Sequence, residues 1–262
     1  MSIYEKENPA FLKESIAGIL AQTIMPDEWI IVKDGPLTSE LEAVIDAISF
    51  KNDLKIIALP ENVTQGPARA EGIKTASHEW VAIIDSDDIC LNDRFEKQLE
   101  YIEKNPQTGL LGGQIEEFLD DPDVVHAKRI VPLSNDEIKS FAKKRNPFNS
   151  MTVMLKREEA LNAGNYAMFP WFEDYDLWVR MISNGTICAN LPEVLVKARV
   201  GAGMYGRRRG FSYIRSEWKM QKQLKTLGMI NNLEFARNFA LRIPPRLLPE
   251  KALEKAYKKF AR

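Results

Sequence analysis

The sequence predicts an α/β fold in which a mostly parallel, Rossmann-like sheet is flanked by helices. Short apolar strands alternate with amphipathic helices through the first hundred residues, a pattern typical of a doubly wound parallel sheet. Polar residues follow three of these strands directly: Asp34, Asn62 and the acidic run at 85–88. Because ligands of such sheets bind beyond the carboxyl ends of the strands, we expect these side chains to share one binding edge.

Local patterns predict each element of the first half. Asn8 and Pro9 are typical of a helix start, and the apolar residues after them keep helical spacing as far as Thr23. Apolar runs predict strands at residues 29–32, 54–59 and 80–84, the last of them a buried parallel strand. Helical spacing predicts helices through residues 41–48 and 68–76.

The second half is less regular. A helix through residues 95–102 follows Asp93, a plausible N-cap, and a strand-rich stretch is predicted for residues 110–131. Ser134 and Glu137 have capping-box spacing before a helix that reaches Arg145. A strand at residues 151–155 and a helix starting at an acidic turn near Glu173 come next.

Charge is distributed unevenly along the 262 residues. The formal net charge is −1, but residues 205–262 contain 15 Lys/Arg and four acids, a balance of +11 against −12 for the rest. We expect a basic helical C-terminal extension at 205–262 that meets an anionic partner, for which an anionic membrane surface is the leading candidate. The alternative is a basic helical face packed on the acidic body.

Composition excludes several classes of protein. Hydrophobic residues make up 45% and charged residues 28%, as in soluble globular proteins. Two cysteines and two histidines allow neither a disulfide framework nor a Cys/His zinc site of the usual spacing. The N-terminal residues have no apolar signal-peptide core, and no apolar run approaches the length of a membrane span. We expect a cytoplasmic or peripheral membrane protein without a nucleic-acid partner.

Three carboxylates fall within four residues at Asp85-Ser86-Asp87-Asp88. Asp85 and Asp87 alternate, so in extended backbone they point to the same side. Carboxylates this close repel each other unless a cation shares them, and Mg²⁺ or Mn²⁺ is the oxygen-preferring candidate. The alternative is an Asp-rich turn before the next helix.

Four motifs occur in a characteristic order: Val32-Lys33-Asp34-Gly35, Asn62 to Gly66 with Arg69, Asp85-Ser86-Asp87-Asp88, and Glu173-Asp174-Tyr175-Asp176-Leu177-Trp178. Together with residues 145–149 and 204–208, they resemble the inverting family 2 glycosyltransferases of the GT-A fold. Within that family, the resemblance is to bacterial exopolysaccharide transferases of the amylovoran and capsule type, and it covers residues 3–260. It implies metal-dependent transfer of a sugar from a nucleotide-sugar, a UDP-sugar, to a hydroxyl of a glycan or undecaprenyl-diphosphate-linked acceptor.

The resemblance also implies roles for individual residues. Asp174 would be the general base, and Asp85 and Asp87 would bind the Mg²⁺ or Mn²⁺ ion. Glu173 and Trp178 would contact the acceptor. The donor contacts would be Tyr4, Asp34, Asn62, Arg69, Asp85, Ser86, Arg207 and Arg208. Residues 1–204 would form the catalytic domain, with a nucleotide-sugar half at 1–109 and an acceptor half at 110–204.

The chain departs from the family pattern in places. Only three residues precede Tyr4, where the family has a full apolar strand, so we expect a longer reading frame upstream or a lower stability. Ser150 stands where a histidine is usual, and the processive Gln-x-x-Arg-Trp signature is missing, which favours one sugar per cycle.

Spacing alone leaves other readings open. Glu173, Asp174 and Asp176 could simply complement a helix N-terminus, Asp34 could be a turn residue, and Trp178 could belong to the core. A sugar nucleotidyltransferase and a non-catalytic sugar-nucleotide-binding protein are the alternative functions.

Overall fold

Two β-sheets surrounded by helices make up the computed structural model of the chain, which describes residues 1–201 and 210–246. The strands are β1 Ser2–Ile3, β2 Glu28–Lys33, β3 Asp53–Ala58, β4 Trp80–Ala82, β5 Ile89–Cys90, β6 Thr108–Phe118, β7 Ala127–Arg129, β8 Met154–Lys156 and β9 Ile187–Arg199. The helices are α1 Pro9–Leu20, α2 Ser39–Asp46, α3 Gln65–Thr75, α4 Arg94–Lys104, α5 Asn135–Ala142, α6 Arg157–Asn162, α7 Glu173–Ser183, α8 Gly210–Thr226 and α9 Asn232–Arg246.

The first sheet is parallel, with the strand order β1-β2-β3. The helix start predicted at Asn8 is confirmed, because the Asn8 side chain accepts a hydrogen bond from the Ala10 amide (2.9 Å) and Pro9 is the first helical residue. Leu12, Ile16 and Ile19 of α1 are buried. The α/β class with a parallel sheet and flanking helices is therefore confirmed.

The second sheet is mixed, with the order β4-β8-β6-β9-β5 and β7 paired to β6. Here the prediction of a buried parallel strand at 80–84 is wrong: β4 ends at Ala82, pairs antiparallel with β8, and is only partly buried. The apolar run gave no information on direction, since the partner strand lies more than 70 residues further along the chain. The predicted strand at 151–155 is likewise split into a short 3-10 helix, Ser150–Thr152, and β8.

Two of the predicted helix ends are refined. The capping box of α5 forms, with the Ser134 amide and hydroxyl both donating to the Glu137 carboxylate (3.1 and 2.7 Å), but the helix ends at Ala142 rather than Arg145. At the start of α4, Asp93 makes no capping hydrogen bond and pairs instead with Lys97 (2.7 Å).

An apolar slot separates β2 from β4. Its cavity of about 380 Å³ is lined by residues that include Met1, Trp29, Ile30, Trp80 and Met154. At its base the Met1 amino group donates to the Ile30 carbonyl (3.0 Å), and burial lowers the pKa of that amino group to about 5. The first strand therefore reaches only part of the way along β2, as the three residues before Tyr4 predict.

Helices α8 and α9 pack on the body of the molecule. Tyr213, Met220 and Leu224 join a buried apolar cluster that includes residues of α3 and α7. Glu217 of α8 is fully buried and pairs with Arg242 of α9 (2.9 Å). This part of the basic extension is thus packed through an apolar face, whereas the alternative interpretation expected a basic face against the acidic body. Arg207 and Arg208 lie outside the described residues. None of the described helices combines the length and apolarity needed to cross a membrane.

Candidate active site

Asp34 and Asn62 come together at the carboxyl ends of β2 and β3, as the sequence predicts. The Asp34 carboxylate accepts hydrogen bonds from the Val63 amide (2.6 Å) and from Asn62 Nδ2 (3.0 Å). Burial raises the pKa of Asp34 above its usual range. The pair is a fixed polar contact beside two parallel strands, with the Asp34 carboxylate held by the loop that follows β3.

The acidic run lies just beyond β4. Burial, followed by repulsion from Asp85 and Glu7, raises the pKa of Asp87 to about 7. The Ser86 hydroxyl donates to the Glu7 carboxylate, which brings Glu7 into the cluster. Asp88 is buried and accepts a hydrogen bond from the Arg199 amide (2.8 Å), so it anchors the loop to the end of β9.

Arg69 joins the acidic run to helix α7. Its guanidinium forms an ion pair with Asp85 and a second one with Asp174 (2.5 Å, Nη1 to Oδ1). The Arg69 side chain is 5% exposed, whereas those of Asp85 and Asp174 are 19% and 21% exposed. Two carboxylates from distant parts of the chain are therefore held on one buried cation, and both still reach solvent.

Glu173 and Asp174 occupy the first turn of α7, where the helix dipole favours negative charge. The Tyr166 hydroxyl donates a hydrogen bond to Asp174 Oδ1 (2.9 Å). Gln65, with its amide oriented to satisfy both neighbours, donates to Glu173 Oε1 (3.3 Å) and accepts from Arg69 (2.6 Å). Glu173 Oε2 is buried and has no hydrogen-bond partner among the residues that the structure describes. Burial, followed by repulsion from Asp174, raises the pKa of Glu173 to about 6.

The carboxylates after β4 fit the predicted cation. Among the residues that the structure describes, no group of three or more His, Cys, Asp or Glu side chains is arranged to hold a metal ion. Mg²⁺ commonly takes only one or two carboxylates from the protein and completes its shell with substrate phosphates. The burial and mutual repulsion that raise the pKa of Asp87 are the conditions that a bound cation relieves.

The remaining predicted residues lie in different surroundings. Tyr4 is 41% exposed in the loop after β1, while Arg207 and Arg208 are outside the described ranges. The position of Trp178 contradicts its predicted acceptor contact, because the ring is fully buried between Phe148 and Tyr166. Trp178 is buried because it has helical spacing with the core residues of α7. This agrees with the alternative interpretation, in which Trp178 belongs to the core.

Sequence reasoning missed four residues of the site: Glu7, Gln65, Tyr166 and Arg199. Glu7 follows β1 much as Asp34 follows β2, so its position after a strand was a usable signal. Arg199 reaches the site through contacts far away in the sequence, and Tyr166 lies only eight residues from Asp174. No local pattern marks either residue.

Known proteins match both the chain and its fold. The model of the family described as Glycosyl transferase family 2 matches residues 1–165. The chain belongs to glycosyltransferase family 2. The family match sets aside the nucleotidyltransferase alternative.

Relatives of the enzyme carry related names. It is 44% identical over 262 residues to an uncharacterized glycosyltransferase of Haemophilus influenzae, covering 100% of this chain and 97% of the relative. It is 38% identical to the amylovoran biosynthesis glycosyltransferase AmsE of Erwinia amylovora (99% and 97% covered). It is 36% identical to the UDP-Gal:alpha-D-GlcNAc-diphosphoundecaprenol beta-1,3-galactosyltransferase of Escherichia coli (100% and 95% covered).

Solved structures confirm the GT-A fold. S. aureus TarS 1-349 in complex with UDP-GlcNAc superposes with a TM-score of 0.66 at 16% identity, covering 98% of this chain and 72% of that one. The enzyme spans 42% of a longer TarS chain. The mannosyltransferase PcManGT of Pyrobaculum calidifontis, in complex with GDP-Man and Mn²⁺, has a TM-score of 0.65 at 15% identity, with 98% and 74% covered.

Proposed function

We propose that this glycosyltransferase is a metal-dependent inverting enzyme of bacterial surface polysaccharide synthesis. It moves a sugar from a UDP-sugar to a hydroxyl of a glycan or undecaprenyl-diphosphate-linked acceptor. The main support for the proposal is that Arg69 forms ion pairs with both Asp85 and Asp174 beyond the strand ends. These ion pairs hold a candidate cation ligand close to a candidate base. The relative from Escherichia coli, which is named for UDP-Gal and a diphosphoundecaprenol acceptor, supports the choice of substrates.

The donor side of the site is formed by residues 1–109. Asp34 and Asn62 bind the nucleoside at the ends of β2 and β3, and Tyr4 and Ser86 are further donor contacts. Asp85 and Asp87 would hold the Mg²⁺ or Mn²⁺ ion, which would supply positive charge to offset the charge that develops on the leaving diphosphate.

In this proposal, the acids at the start of α7 carry out proton transfer. Asp174 takes the proton from the acceptor hydroxyl, as the family resemblance implies, while Arg69 and Tyr166 fix Oδ1 of its carboxylate. Within residues 1–201 and 210–246, these hydrogen bonds reach Oδ1 only, so Oδ2 is directed to the acceptor. Glu173, with its pKa raised to about 6 by burial and by Asp174, is the competing base and contacts the acceptor in our proposal.

A membrane surface is the proposed location of the acceptor. The outward face of α8 carries Phe211, Trp218, Lys219 and Lys222, all exposed, and basic and aromatic side chains together favour the interface of an anionic bilayer. The same helix contacts the segment before α7, because Tyr213 packs on Trp171 and Phe172 (ring centroids 6.0 and 5.3 Å apart). A lipid-linked acceptor beside this helix would therefore lie near the segment that leads into α7 and Asp174.

The test is a donor screen with four UDP-sugars, UDP-glucose, UDP-galactose and their N-acetyl forms, and with GDP-mannose as the contrasting nucleotide. GlcNAc-diphosphate-undecaprenol serves as acceptor, and each reaction is run with Mn²⁺ and with excess chelator. We expect Mn²⁺-dependent release of UDP from at least one UDP-sugar and its loss in Asp87→Ala. Full activity in chelator would contradict the metal requirement, and turnover of GDP-mannose alone would contradict the UDP assignment.

The base is identified by comparing Asp174→Asn with Glu173→Gln. Asp174→Asn keeps the shape of the side chain and should lower single-turnover transfer by ~10²–10⁴-fold, the usual contribution of a positioned base. Donor affinity, measured by calorimetry, should stay near that of the wild type. Glu173→Gln should have the milder effect, and the reverse order would make Glu173 the base.

A further inference from the structure

Tyr166 makes a contact that neither the motifs nor the family match assigns. Its hydroxyl lies 2.9 Å from Asp174 Oδ1 and donates to it, and Arg69 Nη1 donates to the same oxygen from 2.5 Å. A carboxylate held by two donors on one oxygen has a fixed plane, so its second oxygen points in a fixed direction.

The Tyr166 ring is itself held firmly. The residue is 5% exposed, its ring packs edge-on against Trp178 (centroids 5.9 Å apart), and the Arg69 guanidinium lies 5.7 Å from its centroid. Burial raises the pKa of Tyr166 well above its usual value, so the hydroxyl keeps its proton and remains a donor.

A left-handed turn places Tyr166 at this point. Asn165 has a left-handed backbone (φ 57°), a conformation that asparagine adopts more readily than most residues other than glycine. Its side chain fixes the turn by donating to the Ala70 carbonyl (3.0 Å) and accepting from the Tyr166 amide (2.7 Å). Ala70 follows Arg69 in α3, so the turn is tied directly to the helix that carries the cation.

Helix α7 fixes the other side of the same turn. Arg180 pairs with Asp176 (2.7 Å) and donates to the carbonyls of Ala163 and Asn165, the latter at 2.8 Å. Asp176 and Arg180 belong to the helix that begins with Asp174. The turn that carries Tyr166 is thus bonded to both helices that supply the ion pair.

We propose that Tyr166 is a positioning residue for sugar transfer, which orients the Asp174 carboxylate toward the acceptor hydroxyl. The inference rests on the proposed role of Asp174 as the base. It assigns a function to the turn at Asn165, whose side chain bonds both to Ala70 in α3 and to the Tyr166 amide. It also predicts that the hydroxyl, rather than the ring, carries the effect.

The test is Tyr166→Phe, which keeps the ring and removes only the hydroxyl. We expect kcat for UDP release, measured with the preferred UDP-sugar of the screen and GlcNAc-diphosphate-undecaprenol, to fall by about 10- to 100-fold, the size of effect that misplacing a catalytic group by about 1 Å produces. KM for the donor and its calorimetric affinity should stay within about twofold of the wild type, since the lost hydroxyl bonds to Asp174 and the ring that lies beside Arg69 is kept.

Tyr175→Phe is the matched control. Tyr175 is a buried tyrosine whose hydroxyl also donates one hydrogen bond, but to the Ala142 carbonyl, away from the site. Its removal should lower thermal stability about as much as Tyr166→Phe does and leave kcat unchanged. Equal losses of kcat in the two variants, or a normal kcat in Tyr166→Phe, would overturn the proposal.

Two further variants keep the outcome decisive. If Tyr166→Phe does not fold, Asn165→Gly replaces it, because glycine tolerates the left-handed backbone but loses both side-chain hydrogen bonds. This variant should also lower kcat. An unchanged kcat would refute the positioning role. Asp174→Asn is measured alongside. Normal transfer by Asp174→Asn would refute the assignment of Asp174 as the base. Reduced transfer by Asp174→Asn together with a normal kcat in Tyr166→Phe and Asn165→Gly would refute only the positioning role.

Discussion

Two neighbouring acids at the start of α7 experience opposite surroundings. Asp174 receives hydrogen bonds from Arg69 and Tyr166 on one oxygen. Glu173 has a buried oxygen that no described residue hydrogen-bonds, and its pKa is raised to about 6. An ionised carboxylate in the second situation costs stability, because burial disfavours its charge. The cost of holding Glu173 in place is therefore measurable from the pH dependence of folding.

We predict that Glu173→Gln stabilises the protein at high pH only. The pKa of Glu173 is raised from its usual 4.5 to about 6 in the folded state, so the folded protein binds this proton more tightly than the unfolded chain does. The stability that this gives is fully present below pH 4.5 and is lost as the pH rises through 6.

At pH 8 the variant should therefore be more stable than the wild type by about 1 kcal/mol, allowing for partial solvent screening, and at pH 4 the difference should vanish. Urea unfolding of both proteins at the two pH values measures this difference. Glu158→Gln, at a glutamate whose side chain is 72% exposed, is the control and should show no such divergence. A gain of equal size at both pH values would show that the effect is not electrostatic.

At the scale of the secondary-structure element, the sequence predicts features that depend on local residues well, but it does not predict which distant segments pair. The Asn8 cap and the Ser134 capping box form as expected because each needs only residues within one helical turn. Asp34 and Asn62 meet because parallel neighbouring strands end at one edge. The antiparallel partner of β4 and the approach of Tyr166 to Arg69 depend on which segments pack together, and hydrophobic periodicity contains no information on that choice.

The slot between β2 and β4 gives a prediction at the same scale. An extension of about six apolar, β-branched residues before Met1, the typical length of a strand, should continue β1 alongside residues Glu28 to Ile30 of β2. It would bury apolar surface that now lines the cavity and replace a buried amino group with an amide.

The extended protein should melt at least about 2–4 °C higher, which corresponds to ~1 kcal/mol in a chain of this size. An extension of equal length composed of Ser, Gly and Asn is the control, since it also removes the amino group but adds no apolar surface. Equal melting temperatures for the apolar and polar extensions would contradict the expectation that the slot accepts a strand.

On the scale of the whole molecule, the packing of α8 and α9 separates two roles of the basic extension. Glu217, Gln221 and Asn238 form a buried polar network between the helices, which accounts for one face. The opposite face presents Phe211 and Trp218, which are 84% and 44% exposed, together with lysines. Packing on the body and binding to a membrane are therefore compatible in this structure.

We predict that the protein sediments with vesicles that contain anionic lipid and not with neutral vesicles, and that high salt abolishes the binding. Each basic residue near such a surface contributes about 1 kcal/mol at low salt. The double variant Phe211→Ser/Trp218→Ser should weaken the binding, because the two side chains lie on one face of α8 seven residues apart.

Ile56→Ser, at an exposed apolar residue of β3, is the matched control and should bind as the wild type does. Sedimentation with neither kind of vesicle would leave only the packing role, and equal binding of both variants would place the membrane contact elsewhere.

The double ion pair of Arg69 has a consequence for how substitutions at this site can be interpreted. Removing one partner of a buried ion pair leaves an uncompensated charge, so a substitution of Arg69 disturbs Asp85 and Asp174 at the same time. The free-energy effects of substituting residues in one such network do not add. Low activity of an Arg69 variant would therefore not show whether Arg69 touches the donor, whereas double-mutant cycles through Arg69, Asp85 and Asp174 would separate substrate contact from the support of a neighbouring charge.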